Sequence, residues 1–299
     1  MKEYKRPILV FGATGRQGGA VATALSKAGW TVRALVRDAG ALNSLALRQS
    51  GIELLQGSFA DVDTIRAAMR DACGVFSVVP GNLPQEDEVR IGCTIADLAV
   101  ETGISHLVYS SGASSGEKPT GVARFDAKPR IEAHIRDLPI TATIIRPMIF
   151  MDMLLAPVFG LNEGRYTFLL RPDQSMQLVA VEDIGKFVAA IFSNRLRFGG
   201  KTLKIASDTV TGSDLGAIFS AAAGRPIAYS RFPDAFLATN EALGSLAAIL
   251  DDGPLADHVN LDAMREINPD IVSFRSWLAT AGRHAFETAI GQSRDPLPA

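Results

Sequence analysis

Six short, largely β-branched runs alternate with helix-length amphipathic stretches through the first half of this chain, and few folds accept that order. The runs are residues 8–11, 31–36, 52–55, 75–79, 106–110 and 141–146. Between them lie 17–28, 40–50, 61–71, 86–102 and 123–137, all with apolar residues at helical spacing. Strands separated by helices pair in parallel, and the helices then cover both faces of the sheet. The punctuation agrees. Gly29, Gly51 and Gly103 follow three of the helices, and Asp61, with Thr64 behind it, is placed to cap the third. The prediction is an α/β fold: a doubly wound parallel sheet of the Rossmann type.

After Pro147 the rhythm breaks. Residues 148–160 are apolar and Met-rich, and 162–175 are turn-rich, with Gly164, Pro172 and Asp173. Residues 182–192 read as a helix, 202–206 as a strand, and the remainder as mostly helical apart from a short strand at 227–231. The expected organisation is a Rossmann domain over 1–150, to which the chain returns at 178–208, and a smaller, mostly helical lobe over 151–299. The tail 291–299, with two prolines, is expected to be disordered.

Composition removes several function classes. Lys and Arg number 30 against 32 Asp and Glu, a net charge of −2, which gives no electrostatic case for a nucleic-acid groove or an anionic membrane. Hydrophobic residues at 47% and charged residues at 21% describe a globular chain. Cys73 and Cys93 lack metal-ligand spacing and the four histidines are scattered, so neither a disulfide framework nor a metal site is expected. No apolar run approaches the roughly 18 residues of a membrane span, and 8–11 falls short of a secretory leader's core of about 7–15. The expectation is a cytoplasmic protein.

The strongest motif is Gly12-Ala13-Thr14-Gly15-Arg16-Gln17-Gly18, directly after a strand and opening a helix. Glycines suit such a turn because a Cβ blocks the backbone's approach to a pyrophosphate, while the helix N-terminus offers free N–H groups to that anion. The motif predicts dinucleotide binding. An NAD protein usually has an acid at the end of the second strand, about 20 residues on, to accept the ribose 2′-OH. Here Leu35-Val36-Arg37 stands there, and an arginine fork suits the 2′-phosphate of NADP instead. Arg16, inside the loop, is a candidate second contact. NADP is the expected cofactor.

With Val36-Arg37-Asp38, Gly57-Ser58-Phe59, and Phe125-Asp126-Ala127-Lys128 with Glu132, the chain resembles the NmrA-like branch of the atypical short-chain dehydrogenase/reductases. Ile145-Arg146-Pro147, Val181-Glu182-Asp183-Ile184-Gly185 and Phe274-Arg275-Ser276-Trp277-Leu278 extend the likeness over nearly the whole chain. It is most similar to NADPH-sensing members, and isoflavone-reductase-type enzymes stand further away. The resemblance implies a Rossmann domain and a small lobe with NADP between them. It assigns Gly12, Thr14, Gly15, Gln17 and Gly18 to the phosphates, Arg37 to the 2′-phosphate, and Ser58 and Phe59 to the adenine. Val79 and Pro80 would border the nicotinamide ribose, Lys128 would bond the ribose hydroxyls, and Phe150 to Met153 would line the nicotinamide pocket. The family usually has Asp where Ser58 stands and often Asn where Met153 stands, so those two contacts depart from its pattern.

Carbonyl reduction needs a proton donor, usually a Tyr four residues before a Lys. Four residues before Lys128 stands Arg124. Tyr4, Tyr109, Tyr166 and Tyr229 are the only tyrosines, and none has that spacing. Lys128 itself is the candidate catalytic residue, as acid or base, with a role as ribose ligand alone equally open. Ser110 and Ser111 end the fifth strand, where a reductase keeps a substrate-polarising serine. No Gly-x-Ser-x-Gly elbow supports an esterase. Two functions therefore stand: an NADP(H)-binding redox sensor with little or no turnover, acting on a protein partner, and an NADPH-dependent oxidoreductase reducing a small apolar carbonyl or enone. A homodimer is left open.

Overall fold

The computed structural model describes residues 6–116 and 123–291. In chain order it begins β1 (Ile8–Val10), α1 (Arg16–Lys27), β2 (Val32–Val36), α2 (Leu42–Gln49), β3 (Glu53–Gln56), α3 (Val62–Met69) and β4 (Gly74–Ser77). Next come α4 (Gln85–Glu101), β5 (His106–Ser110), α5 (Ala123–Asp137), β6 (Ala142–Pro147) and β7 (Ile149–Phe150). Three short 3₁₀ turns lead to β8 (Arg165–Phe168), β9 (Ser175–Val179), α6 (Val181–Ser193), α7 (Arg195–Phe198), β10 (Thr202–Ile205) and β11 (Asp208–Thr211). The chain continues through α8 (Gly212–Ala223), β12 (Ala228–Arg231), α9 (Asp234–Thr239), α10 (Glu241–Asp252), α11 (Leu261–Ile267), α12 (Phe274–Ala279) and α13 (Arg283–Gly291). The disorder expected of the tail concerns residues 292–299, which lie outside the described residues.

Packing divides the chain into two units: Met1–Pro147 with Val181–Ile205, and Met148–Ala180 with Ala206–Ala299. The first holds a seven-stranded sheet in the order β10-β6-β5-β4-β1-β2-β3, all parallel. Strand order reverses between β1 and β4, and in open α/β sheets that switch point is where ligands bind. The strands are near-continuous apolar runs because both faces are covered. Helix α1 packs on α6, so closely that a Cβ on Gly185 would lie 2.4 Å from the Ala20 carbonyl oxygen. Helices α3 and α5 flank α4, burying Ile65, Met69, Ile91, Ile95 and Ile131. The Asp61 carboxylate accepts from the Asp63 and Thr64 amides, capping α3.

The second unit is helical from α8 onward but also carries two small sheets, β11-β9-β7 and β12-β8. The turn-rich stretch 162–175 also contains a strand that the sequence reading did not give it. Between Gly164 and Pro172 the chain forms β8, whose Tyr166 and Phe168 are buried and stack on each other. Those rings, with Phe159, Phe219, Phe274 and Phe286, make the unit's aromatic core. No helix among the described residues is long and apolar enough to cross a membrane.

Candidate cofactor and active site

The glycine loop leaves β1 at the sheet's switch point. Gly12 has φ +68°, a conformation that favours glycine, and a Cβ there would come within 2.8 Å of Val78 Cγ1. Gly18 lies so close to the turn that a Cβ would sit 2.3 Å from the Gly12 carbonyl oxygen. Gly15 is different. Its φ of −92° and ψ of 174° suit any residue, and the nearest neighbour of a Cβ would be the Gly12 oxygen at 3.3 Å. Gly15 also caps α1 without a side chain, and the first turn of α1 carries no acid. Those leading amides therefore meet neither a capping side chain nor an acid of their own turn, the arrangement that suits a phosphate.

The other loop residues take distinct places. Thr14 and Arg16 are exposed, and the Thr14 carbonyl accepts from Asn43 Nδ2 at 3.3 Å. The Gln17 side-chain amide donates to Ser110 Oγ, tying α1 to the end of β5. Arg37, just past β2, is exposed and has no hydrogen bond or ion pair among the described residues. Its neighbour Asp38 does not neutralise it. The Asp38 carboxylate accepts from the Gly40 amide at 2.8 Å, and its carbonyl accepts from Ser44 Oγ at 2.6 Å. Ser58 Oγ accepts from the Ala60 amide at 3.2 Å, and Phe59 packs on Phe11 with ring centroids 5.7 Å apart. Val79 is buried after β4 and Pro80 is exposed.

Lys128, on α5, is brought to the end of β5. A Cβ on Gly112 would lie 3.5 Å from Lys128 Cδ, so the lysine stem runs along the turn that follows the strand. Its Nζ donates to Glu88 Oε1 of α4 at 2.7 Å. The side chain of Glu88 is 0% accessible and that of Lys128 19%. Beside this pair a second acid is sealed in. Glu132 accepts from Ser111 Oγ at 2.5 Å, Arg136 at 2.5 Å, and both Nε and Nη2 of Arg146 at 2.9 and 2.6 Å. Burial pushes the Glu132 carboxyl up, but the bonds from Arg146 and Ser111 outweigh it and hold the group below the usual carboxylate range. Ser111 is therefore part of a structural cluster, whereas Ser110 keeps its hydroxyl proton while accepting from Gln17.

No described tyrosine is placed as a proton donor. Tyr109 is buried on β5, and burial, with the charges of Glu88 and Glu132, holds its phenol well above its ordinary pKa. Tyr166 donates to the Leu154 carbonyl at 3.1 Å and Tyr229 to the Leu170 carbonyl at 2.7 Å, both inside the second unit. Tyr4 and the side chain of Arg124 lie outside the described residues. In the second unit Phe150 ends β7 half-buried, and Met153 is 52% exposed on a 3₁₀ turn. His134, partly exposed on α5, hydrogen-bonds Asp97 through Nε2 at 2.6 Å. Glu88 is the residue that sequence reasoning missed. The signal was present in two acids two apart on α4, Glu86 and Glu88, and two cations two apart on α5, Lys128 and Arg130. Residues two apart on a helix point to opposite sides, so one pair lies outside and the other is buried.

The sequence profile of the NmrA-like family matches residues 4–268. The chain belongs to the NmrA-like family. An NmrA-like family domain-containing oxidoreductase of Cladobotryum sp is 30% identical over 255 residues, covering 74% of this chain and 75% of that protein. An NAD(P)H azoreductase of Xenophilus azovorans is 26% identical over 223 residues, covering 74% and 76%. Among solved structures, NmrA, a negative transcriptional regulator in complex with NADP, superposes with a TM-score of 0.77 at 21% identity. The match covers 96% of this chain and 98% of that one, and it establishes the shared fold.

Proposed function

We propose that this protein binds NADP(H) on its Rossmann unit, and that Arg37 sets the choice over NAD(H). The observation that carries the reading is Gly15. Its dihedrals suit any residue, and a Cβ would need the Gly12 carbonyl oxygen at 3.3 Å to give by only a few tenths of an ångström, so the missing side chain fits a ligand that must approach the backbone there. Gly12, Thr14, Gly15, Arg16, Gln17 and Gly18 would hold the pyrophosphate, Ser58 and Phe59 the adenine, Val79 and Pro80 the nicotinamide ribose, and Lys128 the ribose hydroxyls. Arg37, carrying a charge that no described acid pairs with, fits a 2′-phosphate. The bound cofactor would supply a hydride. Fluorescence titration with NADPH tests the reading: saturable binding supports it, and its absence overturns it.

What the bound cofactor is used for divides two readings. A redox-sensing regulator with little or no turnover is favoured by the three described tyrosines, which are buried or bonded to backbone carbonyls and so offer no phenolic donor. A reductase of a small apolar carbonyl or enone is favoured by the relatives at 26–30% identity named as an oxidoreductase and an azoreductase. NADPH oxidation against a panel of carbonyls, enones and azo compounds separates them. Binding without turnover is the result the sensing account predicts, and sustained oxidation of any member selects the reductase.

A further inference from the structure

Glu88 is a buried acid for which folding alone gives a poor reason. Its carboxylate is sealed from solvent, one oxygen accepts from Lys128 at 2.7 Å, and the other has no hydrogen-bond partner among the described residues. Nearby polar groups are left equally short. Tyr109 and Ser77, register partners on β5 and β4 and so on one face of the sheet, have buried hydroxyls without partners. Stapling α4 to α5 does not require such a pair. Glu86 and Arg130 already join the two helices at the surface, with contacts of 2.5 and 3.0 Å between side chains that both stay largely exposed. A buried ion pair is a weak source of stability that well-packed apolar residues often equal. What the pair does fix is the position of one ammonium group, and the side chain that carries it keeps contact with solvent.

We propose that Glu88 is a positioning residue for the cofactor. It occupies one of the three N–H donors of Lys128, holding the ammonium beside Gly112 at the end of β5 with two donors left for the ribose hydroxyls. The proposal rests on the NADP(H) reading above. Without Glu88 the four-carbon stem of Lys128 regains its rotamers, and each binding event must order it again.

Calorimetric titration of NADP into the native protein, Glu88→Gln, Lys128→Met, the double variant and Glu86→Gln tests this. Glu88→Gln should raise the dissociation constant about tenfold and Lys128→Met by about ten- to a hundredfold. The double variant should bind no more weakly than Lys128→Met alone, because both changes act through one ammonium. Glu86→Gln, which breaks the surface pair on the same helices, should stay within about twofold of native. Native affinity in Glu88→Gln, or effects of the two single changes that multiply, would overturn the proposal while the NADP(H) reading stood. A native protein that binds no NADP would overturn both. Should Glu88→Gln fail to fold, the crystal structure of the native protein with NADP decides. Lys128 Nζ within about 3.2 Å of Glu88 while it contacts the ribose supports the proposal, and a separation beyond about 4 Å overturns it.

Discussion

Gly15 and Gly18 belong to the same motif yet answer to different demands. A Cβ at Gly18 would meet backbone at 2.3 Å, whereas one at Gly15 would meet an oxygen at 3.3 Å in ordinary dihedral space. Gly18→Ala should therefore destabilise the protein itself by about 1–3 kcal/mol in urea unfolding, as overpacking does. Gly15→Val should fold, with native circular dichroism, and lose the thermal stabilisation given by NADP. A Gly15→Val protein that kept that shift would separate the loop from the cofactor. Lys128 invites a kinetic version of the same comparison. If it holds only the ribose, Lys128→Met weakens NADP binding and leaves any slow turnover intact at saturating cofactor. A fall of about 10²–10⁴-fold at saturation would instead mark it as the acid or base.

Between elements, two buried polar contacts set how the first unit responds to acid. His106 of β5 meets Thr143 of β6 at 2.8 Å through Nε2, and Thr143 donates its own proton to the Phe198 carbonyl at 2.9 Å. Thr143 must then accept, so Nε2 carries the imidazole proton. Burial, with the charge of Arg195, pushes the His106 pKa down to about 4. Below about 6.5 the unfolded chain takes up a proton that the folded chain refuses until about pH 4, so stability falls across that window. The contribution is about 3 kcal/mol, and His106→Gln should flatten the difference in urea midpoints measured between pH 7 and pH 4.5. Glu132→Gln should cost about 3 kcal/mol at neutral pH, because it leaves the inward-facing Arg146 without its carboxylate. Most of these elements were legible in the sequence. The strand His106–Ser110 appears with the limits its apolar pattern predicts, the helix that includes Ala123–Asp137 ends where its pattern does, and Asp61 caps as its spacing implies. Strand β8 was not legible, because its buried Tyr166 and Phe168 are framed by Gly164 and Pro172, and only pairing with distant β12 makes it a strand.

At the scale of the whole molecule, strand–helix alternation is enough to reach a doubly wound parallel sheet, and the order β3-β2-β1-β4-β5-β6 is the Rossmann one among the arrangements that right-handed crossovers allow. The proposed roles of the glycine loop and Arg37 were legible in the sequence because they depend on neighbours in the chain. The pairing of Lys128 with Glu88 was not, since 40 residues separate them and the helices α4 and α5 must first pack to bring them together. The β10 strand joins the sheet beside β6 after the chain has passed through the second unit. The central claim, that the first unit is built for a dinucleotide carrying a 2′-phosphate, concentrates on one exposed guanidinium. Calorimetric titration of NADP and NAD into the native and Arg37→Ala proteins tests it most directly. The native protein should prefer NADP, and Arg37→Ala should lose roughly 10- to 150-fold for NADP while NAD affinity stays unchanged. Equal affinity of the native protein for the two cofactors would contradict the account.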